Sequence, residues 1–119
     1  MASKSTDPID NWMVQVRKGL VELFILNDLA QGERYGYELV KSLVESPALG
    51  LSEGTIYPLL SRLRVQGLVE TRLVESSDGP ARKYYKLTPA GRRAIKAMNR
   101  YFDSLNEEFS EIRENGSKT

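Results

Sequence analysis

The chain has 119 residues, 40% of them hydrophobic and 28% charged, with a formal net charge of +1. These values are typical of one globular domain, and no apolar run approaches the roughly 18 residues that a membrane span requires. The chain contains neither cysteine nor histidine. Common zinc sites, Ser-His-Asp triads and Cys-His pairs are therefore excluded, and we expect no enzyme activity, no metal and no cofactor.

Charge is distributed unevenly along the chain. Residues 62–100 include ten basic and three acidic residues, a local net charge of +7, whereas 103–114 include five acidic residues and one basic, a local net charge of −4. This polarity favours one face that binds an anionic polymer and another that stays away from it. Ordinary solvated helix and strand faces are the alternative.

The first predicted element is a long helix over residues 11–30, preceded by a flexible tail at 1–10. Asp10 or Asn11 is expected to cap this helix. Apolar residues occur on more than one of its faces, which predicts contacts with both its own domain and a partner. They include Val16, Leu20, Leu23 and Phe24.

Two shorter helices follow. The second is predicted over residues 36–45, because Ser46-Pro47 cannot continue it, and the third begins at a Ser52 N-cap and ends near Gly67. Pro58 lies inside the third helix and indicates either a looser first turn or a slight kink. The predicted buried residues are Leu39, Val40, Leu43 and Val44 in the second helix and Ile56, Leu59, Leu60 and Leu63 in the third.

After residue 67 the apolar period changes to two, which predicts a β-hairpin with strands at 68–75 and 81–87. Residues 76–80 are expected to form its turn, with Gly79 free to adopt positive φ. Because neighbouring side chains of a strand point to opposite faces, either Tyr84 or Tyr85 is expected to lie in the core or at a subunit contact.

The last predicted helix covers residues 89–114, with Thr88 at its N-cap, and residues 115–119 are expected to fray. Apolar residues recur along it at alternating intervals of four and three, as in the contact seam of a coiled coil. The seam comprises Gly91, Ile95, Met98, Phe102, Leu105, Phe109 and Ile112. It could pack within one subunit, but its length of about three heptads favours a homodimer. The predicted dimer interface comprises Leu20, Phe24, Ile95, Met98, Phe102, Leu105, Phe109 and Ile112.

The order of helix, helix, helix, hairpin and long helix predicts a mainly α fold with a β-hairpin (α+β), the winged helix-turn-helix. Residues 11–88 would form the DNA-binding domain and 89–114 the dimerisation helix. In this arrangement the third helix enters the major groove of DNA and the hairpin, or wing, reaches the backbone or minor groove. The candidate DNA-binding residues are Tyr37, Lys41, Ser52, Thr55, Tyr57, Ser61, Arg62, Arg82 and Lys83. Each could instead be a cap or a solvated side chain.

Five segments of the chain resemble the PadR family of bacterial transcriptional regulators. They are residues 35–39 (YGYEL), 54–60 (GTIYPLL), 62–63 (RL), 67–69 (GLV) and 79–92 (GPARKYYKLTPAGR). The resemblance extends over about residues 12–112 and implies that the proline of the second segment lies inside the recognition helix. The single C-terminal helix is similar to the short subgroup of the family, in which the first and last helices form the dimer. The resemblance also implies a bacterial cytoplasmic protein associated with the nucleoid.

Several members of that subgroup are similar to multidrug-sensing repressors, which admit planar aromatic compounds between their subunits. The best-known drug sensor has a tryptophan in its last helix where this chain has Phe102, and the only tryptophan here is Trp12. The candidate ligand-binding residues are Trp12, Val16, Met98, Tyr101 and Phe102, for which packing alone is the alternative.

These features together predict a sequence-specific transcriptional regulator. We expect a repressor that binds double-stranded DNA at a palindromic operator and releases it when a small hydrophobic or aromatic molecule binds. A winged-helix module for protein–protein interaction is the alternative, and the salt dependence of binding distinguishes the two. An enzyme is not supported, because Glu107, Glu108 and Glu111 form a solvated face of the last helix.

Overall fold

The computed structural model describes residues 7–117, which form four helices and three strands. The strands form one antiparallel sheet in the order β1-β3-β2. This architecture is the predicted α+β fold with a hairpin. The elements are α1 (Pro8–Ala30), β1 (Arg34–Tyr35), α2 (Gly36–Val44), α3 (Glu53–Val65), β2 (Val69–Ser76), β3 (Gly79–Leu87) and α4 (Pro89–Ser117).

Helix α1 begins earlier than predicted. Its N-cap is Asp7, whose carboxylate accepts a hydrogen bond from the Ile9 N–H at 2.8 Å, and Pro8 lies in the first turn, where its missing N–H costs nothing. The cap predicted at Asp10 or Asn11 is therefore wrong. So is the flexible tail for residues 8–10, while residues 1–6 of that tail lie outside the described residues.

Helix α4 extends to Ser117. The fraying predicted for residues 115–119 is therefore wrong for 115–117, and 118–119 lie outside the described residues. At 29 residues the helix is about 43 Å long, since each residue adds about 1.5 Å.

Strand β1 does not follow from the sequence pattern, because two residues are too few to show an alternation. Arg34 pairs with Tyr85 and Tyr35 pairs with Tyr84, so the segment between α1 and α2 adds a third strand to the hairpin. Tyr35 is also the N-cap residue of α2. This pairing therefore attaches the start of α2 directly to the wing.

The turn of the wing is tighter than predicted. Strand pairing continues as far as Ser76 and Gly79, which leaves only residues 77–78 between the strands. Gly79 is not among the described glycines with positive φ, so that expectation is wrong and the residue belongs to β3. Pro80 lies in β3 beside a register irregularity of the hairpin, a position at which strands tolerate proline.

Helix α3 is continuous through Pro58. A proline at this position cannot bond the carbonyl of Gly54, but Gly54 is exposed, so water can satisfy that oxygen. The structure thus agrees with the placement of Pro58 inside the helix.

The core lies between the first three helices and one face of the sheet. Tyr85 is the tyrosine of the wing that enters this core, and Tyr84 is half-buried on the other face. Val44, predicted to be buried, is exposed because it lies at the end of α2. The largest fully buried side chains are Val21, Ile25, Leu26, Leu29, Leu39, Val40, Ile56, Leu60, Leu63 and Val69.

Helix α4 starts against the sheet through two small residues. The Thr88 hydroxyl donates to the Gly67 carbonyl at 2.6 Å and accepts from the Gly91 N–H at 2.9 Å, which confirms the predicted N-cap. A Cβ on Gly91 would lie 2.0 Å from the Leu68 carbonyl oxygen, so only glycine allows this close approach. Within residues 7–117, no helix is both long and apolar enough to cross a membrane.

Candidate nucleic-acid interface and the groove between α1 and α4

All nine candidate DNA-binding side chains are exposed. Tyr37 and Lys41 are four residues apart on α2 and therefore share one of its faces. The others lie at the start of α3, along α3, and on β3. They are Ser52, Thr55, Tyr57, Ser61 and Arg62, followed by Arg82 and Lys83.

The start of α3 presents hydroxyl groups to solvent. Ser52 is the N-cap residue, as predicted, but its hydroxyl makes no bond to a backbone N–H; its Oγ lies 3.3 Å from Oγ1 of Thr55. The Thr55 N–H donates to the Ser52 carbonyl at 3.0 Å, so the two hydroxyls lie beside each other at an exposed helix start. Such a helix start favours a negatively charged ligand.

Arg62 has a partner that the sequence did not indicate. Its guanidinium forms an ion pair with the carboxylate of Glu22 on α1. The two residues are 40 positions apart, so no local spacing could reveal the contact. The ion pair uses Nη2 of Arg62, and the side chain stays exposed, so its other N–H groups are the ones that could reach a nucleic acid.

Arg82 and Lys83 lie on opposite faces of the wing. They are consecutive in β3, and consecutive side chains of a strand point to opposite faces. Lys83 therefore shares the face of Tyr85, while Arg82 shares the face of Tyr84.

The outer face of the sheet, opposite the core, carries a stack of aromatic and cationic groups. The Tyr35 ring lies 5.7 Å from the Tyr84 ring and 6.1 Å from the Tyr37 ring, measured between centroids. The Arg82 guanidinium lies 5.0 Å from the centroid of Tyr35, and that of Arg72 lies 5.6 Å from the centroid of Tyr84. Both distances are within the range of a cation–π contact.

The two arginines of this outer-face stack differ in their carboxylate partners. Arg72 binds Glu33 through two hydrogen bonds of 2.7 and 2.6 Å. The hydrogen bond from Arg72 lowers the pKa of the Glu33 carboxyl and raises the pKa of Arg72 itself. Among residues 7–117, no carboxylate lies within 4.0 Å of the Arg82 guanidinium.

The inner face of the sheet is held close to α2. A Cβ on Gly36 would lie 2.9 Å from Cε1 of Tyr85 and 3.3 Å from the Lys83 carbonyl oxygen. Glycine at this position therefore lets α2 begin directly on β3. Burial raises the pKa of the Tyr85 phenol, Tyr57 raises it further, and Arg64 lowers it.

A groove of about 560 Å³ runs between α1 and α4, and we call it the α1–α4 groove. Its walls are mainly apolar. At one end the side-chain amides of Asn27 and Asn99 exchange two hydrogen bonds of 3.0 Å and join the helices where they cross. The groove is lined by Gln15, Val16, Gly19, Leu20, Leu23, Ala97, Met98, Tyr101, Phe102, Leu105 and Phe109.

The groove brings together most of the residues predicted to bind a ligand or a second subunit. Four ligand candidates, Val16, Met98, Tyr101 and Phe102, line it, whereas Trp12 lies outside its lining, one turn earlier on α1. Five candidates for the dimer interface line it as well, namely Leu20, Met98, Phe102, Leu105 and Phe109.

The three other interface candidates lie elsewhere. Phe24 lines an adjoining depression of about 260 Å³, and Ile112 is exposed further along α4. Ile95 is only 7% exposed, because it packs into the core of its own subunit. Its assignment to the dimer interface is corrected accordingly.

Comparison with known proteins identifies the family. Residues 25–97 match the model of the Transcriptional regulator PadR-like family. The chain belongs to this family. A similar protein, Transcriptional regulator Rv3488 of Mycobacterium tuberculosis, is 38% identical over 98 residues, which cover 81% of this chain and 88% of that protein.

Solved structures of PadR-like regulators have the same fold. The Bacillus cereus PadR-like transcriptional regulator is 37% identical with a TM-score of 0.73, over 82% of this chain and 95% of that one. A PadR family regulator from Eggerthella lenta is 28% identical with a TM-score of 0.76, over 89% and 92% of the two chains. This PadR-like protein is therefore a transcriptional regulator with a winged-helix fold, and not an enzyme, as predicted.

The sequence of this PadR-like protein did not indicate that Tyr35 lies beside Tyr84 and Arg82. The residue belongs to the first of the five family segments, but its contacts with Tyr84 and Arg82 cross from β1 to β3. The alternation of β3 placed Arg82 and Tyr84 on one face. Only the pairing of β1 could add Tyr35 to that face.

Proposed function

We propose that this protein is a repressor that binds a palindromic operator as a homodimer and releases it when a small hydrophobic or aromatic ligand binds. The observation that carries the proposal is the presence, on one short chain, of an exposed polar and basic surface and of an apolar groove on the side formed by α1 and α4. The polar and basic surface suits DNA. The apolar groove suits another copy of the chain, with a ligand between the two copies.

The DNA-binding part of the proposal is supported by residue type and position. Thr55 and Tyr57 are exposed on α3, where they can reach base edges in the major groove. Arg82 and Lys83 are exposed on the wing and can contact phosphates from its two faces.

The dimer is supported by apolar surface that the single chain leaves uncovered. Tyr101, Phe109 and Ile112 of α4 are each more than half exposed, and so is Trp12 of α1. Apolar patches of this kind mark contact sites in soluble proteins. A two-fold axis would place the same surfaces of both copies against each other and space the two recognition helices about one turn of DNA apart.

The ligand is supported by the volume and lining of the α1–α4 groove. Its 560 Å³ lies within the range of small-molecule sites, and Met98, Tyr101 and Phe102 offer flat, polarisable surface. A molecule held there between two copies would change the angle between the recognition helices. A coupling of about 1–3 kcal/mol would weaken DNA binding roughly 5- to 150-fold.

The proposal is tested by fluorescence anisotropy of the full chain with its own upstream DNA and with a scrambled duplex, in a series of salt concentrations. We expect tighter binding to the upstream DNA and a steep loss of affinity with added salt. Absence of binding to both duplexes at low salt would contradict the proposal and favour a protein–protein interaction module. Equal binding to both would place the operator elsewhere.

Two sets of variants separate phosphate contacts from base contacts. Combined Arg82→Ala and Lys83→Ala should weaken binding to all duplexes, whereas Thr55→Ala or Tyr57→Ala should change the preference among sequences by about 1–3 kcal/mol per lost base contact. Unchanged affinity in the first variant would contradict the role of the wing. A screen of planar aromatic compounds tests release, and if none weakens operator binding, the ligand-sensing part fails.

A further inference from the structure

We propose that Tyr35 is a positioning residue, which holds the guanidinium of Arg82 in place for a DNA phosphate. The inference rests on the proposed DNA-binding function and adds to it a residue that supports a phosphate contact from behind. It follows from the geometry of the outer-face stack.

The sheet register brings these two residues together. Tyr35 of β1 is paired with Tyr84 of β3, and Arg82 lies two positions before Tyr84 on the same face of β3. The Arg82 side chain extends back over the Tyr35 ring, with its Cζ 5.0 Å from the ring centroid. A cation–π contact of this kind restrains the flat guanidinium against one surface.

A stacked arginine keeps its hydrogen-bond donors free. In the stacked form of a cation–π contact, the face of the guanidinium lies on the ring, which leaves its N–H groups directed outward along the edge of the plane. Arg72 shows the opposite case, because Glu33 accepts two hydrogen bonds from its edge. Among the described residues Arg82 has no such carboxylate, and its donors can bind a phosphate in a bidentate manner.

Tyr35 also connects the wing to the helix-turn-helix. It is the N-cap residue of α2, and its ring lies 6.1 Å from that of Tyr37 in the first turn. Arg82 is thereby held at a defined place relative to the exposed face of α2 that carries Tyr37 and Lys41. Without the ring, a long side chain near the tip of a hairpin would lose more conformational entropy when it bound.

The test compares Tyr35→Leu with Tyr35→Phe in the full chain, by DNA-binding titrations with the wild-type operator. Tyr35→Leu should weaken binding about two- to fivefold, which corresponds to the loss of an exposed cation–π contact. Tyr35→Phe should bind as the wild type does, because within residues 7–117 the Tyr35 hydroxyl makes no hydrogen bond and the ring is retained. A loss in Tyr35→Phe equal to that in Tyr35→Leu would overturn the proposal.

A double-mutant cycle separates positioning from general damage to the fold. Arg82→Ala should lower the salt slope by about 0.9, the value for one phosphate contact, and Tyr35→Leu should have no further effect in that background. Damage to the fold would weaken binding in both backgrounds alike. The control is Arg72→Gln with Glu33→Gln, which removes the other arginine of the stack at constant net charge and should leave the slope unchanged.

An NMR measurement on the DNA-free wild type detects the stack directly. The side-chain protons of Arg82 are identified by the signals lost in Arg82→Lys. They should resonate upfield because of the Tyr35 ring current, and chemical shifts in the ordinary range for arginine would overturn the proposal. If the wild type binds no duplex, the proposed function and this role fail together. If it binds and Arg82→Ala weakens binding while Tyr35→Leu does not, only the positioning role fails.

Discussion

The half of the molecule built on α2, α3 and the sheet differs from the half formed by α1 and α4 in what it exposes. In the first half, Ile56, Leu60 and Leu63 are completely buried, and most exposed side chains are polar or charged, with Val44, Val65 and Leu73 as isolated apolar exceptions. In the second half, large apolar side chains line a groove and continue along α4 beyond it.

In the proposed function, this difference suits the two halves to different partners. A surface of hydroxyls and cations remains hydrated and suits a polyanion. An extended apolar surface is stable in water only when something apolar covers it. The acidic face of α4, with Asp103, Glu107 and Glu111, would in addition keep this half away from the phosphates.

The largest effect is expected from a charge placed in the apolar half. Phe109→Asp removes a side chain that lines the α1–α4 groove but lies outside the core of its own subunit. Burying one phenylalanine contributes about 1.5–3 kcal/mol, and a two-fold axis makes the loss occur twice. The dissociation constant of the dimer should therefore rise about 10²- to 10⁴-fold, as measured by analytical ultracentrifugation.

The matched control is Ser110→Asp, which adds the same residue one position further along. Ser110 lies on the acidic face of α4 with Asp103, Glu107 and Glu111, so its replacement should leave the dimer intact. Equal dissociation by both variants would show that the apolar groove is not the subunit contact. The comparison between the two halves would then lose its functional meaning.

The seam of α4 shows how far the sequence could predict this half. Its period located all seven apolar positions, but a period does not specify which surface they contact. Thr88 and Gly91 fix the start of the helix so tightly against Leu68 that Ile95 enters the core of its own subunit. The positions from Phe102 onward lie beyond that core, and this division depends on the place where α4 crosses α1.

In the other half, local patterns predicted the elements and most of the exposed residues. Strand alternation was sufficient to separate Arg82 from Lys83. Contacts between distant segments were not predictable, since the Arg62–Glu22 ion pair and the Tyr35–Arg82 stack depend on packing and on a two-residue strand.

A medium effect is expected at the crossing of α1 and α4, where Asn27 and Asn99 form a reciprocal amide pair beside the apolar groove. Asn99→Ala leaves the partly buried Asn27 amide without this partner, which should lower the free energy of unfolding by about 1–2 kcal/mol. Urea unfolding measures this free energy. Both proteins are compared at the same concentration, because the stability of a dimer depends on concentration.

The double variant Asn27→Leu with Asn99→Leu is the informative companion. Replacing both partners with apolar groups removes the unsatisfied amide, so its stability should lie closer to the wild type than that of Asn99→Ala. If Asn99→Ala unfolds as the wild type does, the amide pair makes no contribution to the α1–α4 contact.

The smallest effect concerns the buried tyrosine of the wing and appears only in alkali. Burial raises the pKa of Tyr85 above its ordinary value of 10.0, so the folded chain favours the neutral phenol more than the unfolded chain does. The stability that depends on a neutral Tyr85 phenol is complete below pH 10 and is lost as the pH rises through the folded-state pKa. Tyr85→Phe has no phenol to ionise and should lose less stability than the wild type above pH 10.

The measurement is urea unfolding of both proteins at pH 7 and near pH 11. All other groups are the same in both proteins, so only the difference between the two reports on Tyr85. Ile95→Val serves as the control, because it removes a buried methyl group without an ionisable atom and should shift stability equally at both pH values. Parallel losses in the wild type and Tyr85→Phe would mean that the phenol is as well solvated in the fold as in the unfolded chain, and that the core of this half is open at its edge to water.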